Sequence, residues 1–185
     1  MISPFPSFFI PIGGYISQYP PEQNSTYVKA TSTYNPDYYP YFATDPAKSL
    51  IDNFDNLCSW QAGNGEIGSQ RFHIDLGSAK TIKRIYYENC HHCGSITDKG
   101  VKNFTFWGSN DPAAFAELTY GVDTGWTEII PAQSTFDQHV ALNQADPKYI
   151  LVTNTTAYRY YAFKFADNYG GTTLDIRRIE LQIEG

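Results

Sequence analysis

The strongest constraint on this chain lies in residues 71–87, RFHIDLGSAKTIKRIYY. Phe72, Ile74 and Leu76 alternate with polar residues, a Gly77-Ser78-Ala79 breaker follows, and a second run carries Ile82, Ile85 and Tyr87. A period of two with a turn signal between the runs predicts two strands, each burying one face. A third run, Val101, Phe104, Phe106 and Trp107, ends in the turn formers Gly108-Ser109-Asn110-Asp111. Strand, turn, strand, loop, strand describes an antiparallel sheet with one buried face.

The rest of the chain fits the same reading. Residues 27–33 carry the β-branched and aromatic residues of a first strand. In YNPDYYPYFATDPAK, Pro36, Pro40 and Pro46 argue against regular structure and put Tyr34, Tyr38, Tyr39, Tyr41 and Phe42 on a loop. Residues 48–60 read as a short helical turn leading into a carboxylate-rich loop. Asp111 ahead of Pro112 has the form of a helix N-cap and first-turn residue, which predicts a short surface helix. Strands are expected near Trp126, over residues 158–165, and through Ile176, Ile179, Leu181 and Ile183, with a Gly170-Gly171 loop before the last. Trp60, Phe72, Ile74, Leu76, Ile85, Phe104, Phe106, Ile179 and Leu181 are the expected core.

The order Trp60, the FHIDLG run 72–77, Ile82, Ile85, the VKNFTF run 101–106, the GSND run 108–111 and Trp126 resembles the discoidin, or coagulation-factor C-type, superfamily. That group includes galactose-binding-like carbohydrate-binding modules. YRYYAFKF and IRRIELQIEG are similar to its closing pair of strands. The resemblance implies an all-β, antiparallel jelly-roll β-sandwich over residues 27–185, preceded by an arm at 1–26. It also implies glycan binding by loops at one end of the sandwich.

A structural calcium is part of the same resemblance, on a loop similar to A-x-D-G-N-x-x-T-x-W supported by a late Glu. Here Asp52 and Asp55, with Asn53 and Asn56, would supply loop oxygens, and Glu180 matches the late Glu. No Gly follows Asp52, the spacing to Trp60 is one residue longer, and Cys58 stands where a Thr is usual. The alternative is that Asp52 and Asp55 cap turns.

Loop aromatics suit sugars, because a sugar ring offers an apolar face to a flat side chain while its hydroxyls need placed polar partners. Tyr169, Tyr38 and Tyr39 are the candidate stacking residues, with Arg71, His91, His92 and Asn168 as candidate hydroxyl partners. The competing reading has the tyrosines packed over an open end of the sandwich. Cys90, His91, His92 and Cys93 form a dense thiol and imidazole run, with Cys58 as a further thiol. Adjacent ligands rarely close a tetrahedral zinc site alone, so free thiols, a clipped loop and a metal site all stay open.

A chain of 185 residues can bury a core as one domain. Its net charge of −6 leaves no basic stripe for phosphate, which argues against nucleic acid. MISPFPSFFIPIGGYI is apolar but has no basic start and is interrupted by Pro4, Pro6 and Pro11, so it reads as an extended arm and not as a leader or membrane span. Phe5, Phe8 and Phe9 on that arm need cover, either on the chain's own sandwich or on another subunit. No nucleophile elbow, metalloprotease helix or phosphate loop is present, and pairs such as Asp167 with Glu180 or His139 with Asp137 have no supporting spacing. Two functions remain: a non-catalytic glycan-binding module used for attachment at an extracellular or virion surface, or a structural subunit of an assembly.

Overall fold

The structure is a computed structural model that describes residues 14–51 and 54–185. It is an all-β sandwich of two antiparallel sheets. One sheet has the order β1 (Tyr15–Gln18), β10 (Asp175–Glu184), β5 (Arg84–Asn89), β8 (Lys148–Leu151), with the short β3 (Trp60–Gln61) also on β10. The other runs β2 (Val28–Ala30), β4 (Gln70–Lys80), β9 (Tyr158–Phe165), β6 (Phe104–Ser109), β7 (Thr127–Ile129).

The inward residues of both sheets form one core. Trp60, Phe72, Ile74, Leu76, Ile85, Phe104, Phe106, Ile179 and Leu181 all belong to it, as the alternation predicts. Each such side chain contributes about 1.5–3 kcal/mol by leaving water. Phe136 is also central although no regular element carries it: its ring lies 4.2 Å from Tyr87 and 4.3 Å from Phe104.

Consecutive strands do not always pair. β4 and β5, read from sequence as neighbours across a turn, lie in opposite sheets, and the 81–83 connection crosses between them. Gly77, with φ +72, sits in the register shift late in β4, and its N–H donates to Asp75 Oδ1 at 2.7 Å. Alternation reports a buried face but not which sheet a strand joins.

The outer face of β4 is covered too. Asp111 caps helix α1 (Pro112–Ala116) by accepting from Ala113 N–H at 2.8 Å, with Pro112 in the first turn as expected. The helix and the segment after it fold over β4 and β9, packing Phe115 and Trp126 against Tyr160 and Ala162. His73 and Arg71 are thereby buried completely.

One correction concerns the early chain. Prolines 36 and 40 do not abolish regular structure; they start 3-10 helices at Pro36–Tyr38 and Pro40–Thr44. A preset φ and a missing N–H suit the first helical position. Within the stretch expected as an extended arm, residues 15–18 form a strand paired with β10 in the register Tyr15 to Glu184, so this part lies on the chain's own sandwich. Phe5, Phe8, Phe9 and Asp52 lie outside the described residues.

Candidate glycan cleft and the buried acidic cluster

Loops gather at the end of the sandwich where β5 finishes and β10 begins. Gly100 bridges to Asp175, Val101 N–H donates to the Asp175 carbonyl at 3.1 Å, and Asp175 N–H donates to the Lys99 carbonyl at 2.9 Å. The 98–101 segment is thus stitched to the first residue of β10.

A cleft of about 550 Å³ opens here, bounded by Ser95, Ile96, Thr97, Asp98 and Lys99 on one side, Gly170, Gly171 and Thr172 on another, and Gln138. The walls are held firmly. Tyr169 and Gly171 N–H groups both donate to the Asp98 carbonyl at 3.0 Å, and Gln138 Nε2 donates to Thr97 Oγ1 at 2.8 Å. A Cβ on Gly171 would lie 2.7 Å from the Lys99 nitrogen, so only glycine permits this approach. Asp98, Gln138, Ser95 and Thr172 are exposed, and Ile96 is the apolar element of the wall.

Beneath the loops lies a buried acidic cluster. Asp55, Cys90 and Asp175 bring their oxygen and sulfur atoms within 4.8 Å of one another. Tyr38 Oη donates to Asp55 Oδ1 at 3.2 Å, and His92 Nδ1 contacts the same oxygen at 3.0 Å. Burial raises the Tyr38 hydroxyl pKa, with the Asp55 charge adding to it. Burial likewise pushes the Asp175 carboxyl and the Cys90 thiol well above their ordinary ranges, and the neighbouring carboxylates act in the same direction.

The residues singled out from sequence separate accordingly. Tyr38, His92 and Asp55 meet in the acidic cluster. Tyr169 and Asn168 flank the cleft but spend their polar atoms on the chain itself. Tyr169 Oη donates to the Phe136 carbonyl at 2.5 Å, and Asn168 Nδ2 donates to the Gly171 and Thr173 carbonyls. Tyr39 sits apart, stacked on Tyr41 at 5.2 Å beside a smaller cavity of about 210 Å³ near β2. Arg71 is sealed under the 119–123 loop, donating to the Thr119 and Val122 carbonyls and to Asp123, which removes it from any surface site.

His91 is also buried. Its Nε2 faces the Leu50 carbonyl at 2.9 Å and its Nδ1 accepts from Gly94 N–H, while desolvation, aided by Arg177, lowers its pKa to about 4. The ring is therefore neutral. The four-residue thiol and imidazole run is divided: Cys90 points into the cluster, Cys93 is exposed, and none of Cys58, Cys90 and Cys93 is in a disulfide.

Of the expected calcium ligands, Asp52 and Asn53 lie outside the described residues, and Asp55 and Glu180 have separate partners. Glu180 accepts from Ser17 Oγ at 2.6 Å and pairs with Arg178 at 3.3 Å, and it is not a member of the Asp55 cluster. Several carbonyls near the Asp55 loop accept from arginines. Arg177 donates to the carbonyls of Ser49, Phe54 and His91, and Arg178 donates to that of Lys48.

The sequence reading missed Thr97, Asp98, Lys99, Gln138 and Thr172 as cleft residues, and Asp175 and Cys90 as partners. The polar run TDKG just after the cysteines was the available signal for the first group. Nothing local marks Asp175, whose neighbours are chosen by the crossing of β10 and β5.

No protein-family model and no curated protein matches the chain. Among solved structures, the CBM32 of AlyQ in complex with 4,5-unsaturated mannuronic acid superposes with a TM-score of 0.55 at 21% identity, covering 90% of this chain and 97% of that one. The family 32 module of C. perfringens NanJ in complex with galactose gives 0.58 at 13% identity, covering 84% and 92%. A truncated AlyQ with CBM32 and alginate lyase domains gives 0.58 at 20% identity, and this chain spans 34% of its length. At these identities the likeness speaks to architecture, and it shows that the chain has the galactose-binding-like, discoidin-type β-sandwich fold.

Proposed function

We propose that the chain is a non-catalytic glycan-binding domain that seats a sugar residue in the cleft between the 95–99 and 170–172 loops. The observation that carries this reading is the convergence of Asp98, Lys99, Gln138 and Thr172 around one rigid concavity at the loop end of the sandwich. Carboxylate, ammonium, amide and hydroxyl groups together match the donors and acceptors of a sugar's hydroxyls, and Ile96 offers an apolar contact for ring CH groups. The solved modules of this fold in complex with galactose and with unsaturated mannuronic acid support the ligand class.

The test is a glycan array followed by calorimetric titration of the hits. Asp98→Ala and Gln138→Ala should each weaken binding at least about tenfold, the loss of one well-made polar contact being worth about 1.4 kcal/mol. Tyr39→Ala should bind as the parent does. A blank array on folded protein, or hits untouched by both cleft substitutions, would overturn the reading.

A further inference from the structure

Asp55, Cys90 and Asp175 arrive from three separate places: the loop before β3, the end of β5 and the start of β10. Asp55 is 2% exposed and the other two are 0% exposed. Cys90 Sγ donates to Asp175 Oδ2 at 3.4 Å, while Tyr38 and His92 serve Asp55 Oδ1. Asp55 Oδ2 and Asp175 Oδ1 are left sealed from solvent with no hydrogen-bond partner. Two carboxyl groups this close and this dry cannot both carry charge unless a cation joins them.

We propose that these three side chains form a structural site for one divalent cation of the zinc class, bound through Asp55 Oδ2, Asp175 Oδ1 and Cys90 Sγ. A sulfur ligand and few oxygens suit a borderline metal and not calcium. His92 on the far oxygen of Asp55 has the place of a group that orients a ligating carboxylate. Binding sends the Cys90 thiol proton, and any proton held between the two carboxyls, to solvent, with no change of oxidation state. Because the Asp175 backbone bonds both Lys99 and Val101, the ion would clamp the base of the cleft wall to the 55-loop.

The full chain, stripped with EDTA under reducing conditions, would be dialysed against zinc chloride or calcium chloride and its metal content measured. Cobalt chloride would serve as a spectroscopic probe, since a thiolate ligand gives a sulfur-to-cobalt charge-transfer band. One equivalent of zinc, a higher melting temperature with zinc than with calcium, and the cobalt band are expected. Cys90→Ser should abolish the band and weaken zinc retention at least tenfold while its far-ultraviolet circular dichroism stays that of the parent. Cys93→Ser, at an exposed position, should keep both properties. Absence of zinc in the parent, binding that follows Cys93 and not Cys90, or a response to calcium alone would each overturn the proposal.

Discussion

Asp175 is held at a cost. Without a cation its carboxyl favours the protonated form, since it is buried beside Asp55 with Lys99 and the Cys90 hydrogen bond giving only partial relief, and His92 and Tyr38 both attend Asp55. A folded-state pKa raised above the unfolded value contributes stability that is present at low pH and lost as pH rises through the folded value. In EDTA, Asp175→Asn should therefore stabilise the protein at neutral pH by roughly 1–3 kcal/mol and show no benefit near pH 3, as read by urea midpoints. Equal effects at both ends would show that the Asp175 carboxyl is not the titrating group. His73 works in the opposite sense. Burial between Phe115 and Trp126 lowers its pKa from 6.5 to about 4, with Arg71 and Lys29 opposing protonation and Glu117 favouring it. A depressed pKa gives stability that is present above the unfolded value and lost as pH falls through the folded one, here about 3 kcal/mol between pH 6.5 and 4. His73→Phe should flatten that part of the acid limb in thermal melts across the window.

At the scale of elements, the cover formed by α1 and the 117–126 segment is pinned by Arg71 as well as by the packing of Phe115 and Trp126. Arg71 reaches from β4 to the Thr119 and Val122 carbonyls and to Asp123, and Lys164 on β9 bonds the same carboxylate at 3.0 Å. Arg71→Met would leave the Thr119 and Val122 carbonyls without this donor and Asp123 with Lys164 alone. We expect a loss of about 1–3 kcal/mol and faster amide exchange across 119–126, with β4 and β9 amides still protected. Uniform exchange across all of them would mean that the cover and the sandwich open as one unit. Alternation of Phe72, Ile74 and Leu76 made β4 legible as a core strand. Its complete burial on both faces was not legible, because Arg71 and His73 have the polar character of an exposed face until α1 lies over them.

In the whole molecule, the junction of the two sheets depends on a residue outside every regular element. Phe136 contacts the rings of Tyr87 from one sheet and Phe104 from the other, donates its N–H to the Lys102 carbonyl and accepts the Tyr169 hydroxyl. Phe136→Ala should cost about 3–5 kcal/mol in denaturant unfolding. A cost under about 1 kcal/mol would place the organising contact elsewhere.

The sequence by itself determined the long strands, their main inward residues and the helix cap at Asp111, because alternation and capping are local and each leaves its mark within a few residues. It also carried the order of blocks that resembles the discoidin fold. Tertiary structure decided which sheet each strand joins, that Tyr15 to Gln18 pairs with the last strand, and that Arg71 and His91 are buried. It alone brought Asp55, Cys90 and Asp175 together, from positions up to 120 residues apart, and set Asp98 opposite Gly171. The physical reason is that site chemistry depends on distances in space and on desolvation. Both are set by how two sheets stack and which loops close their end, and neither is written in the neighbourhood of any one residue.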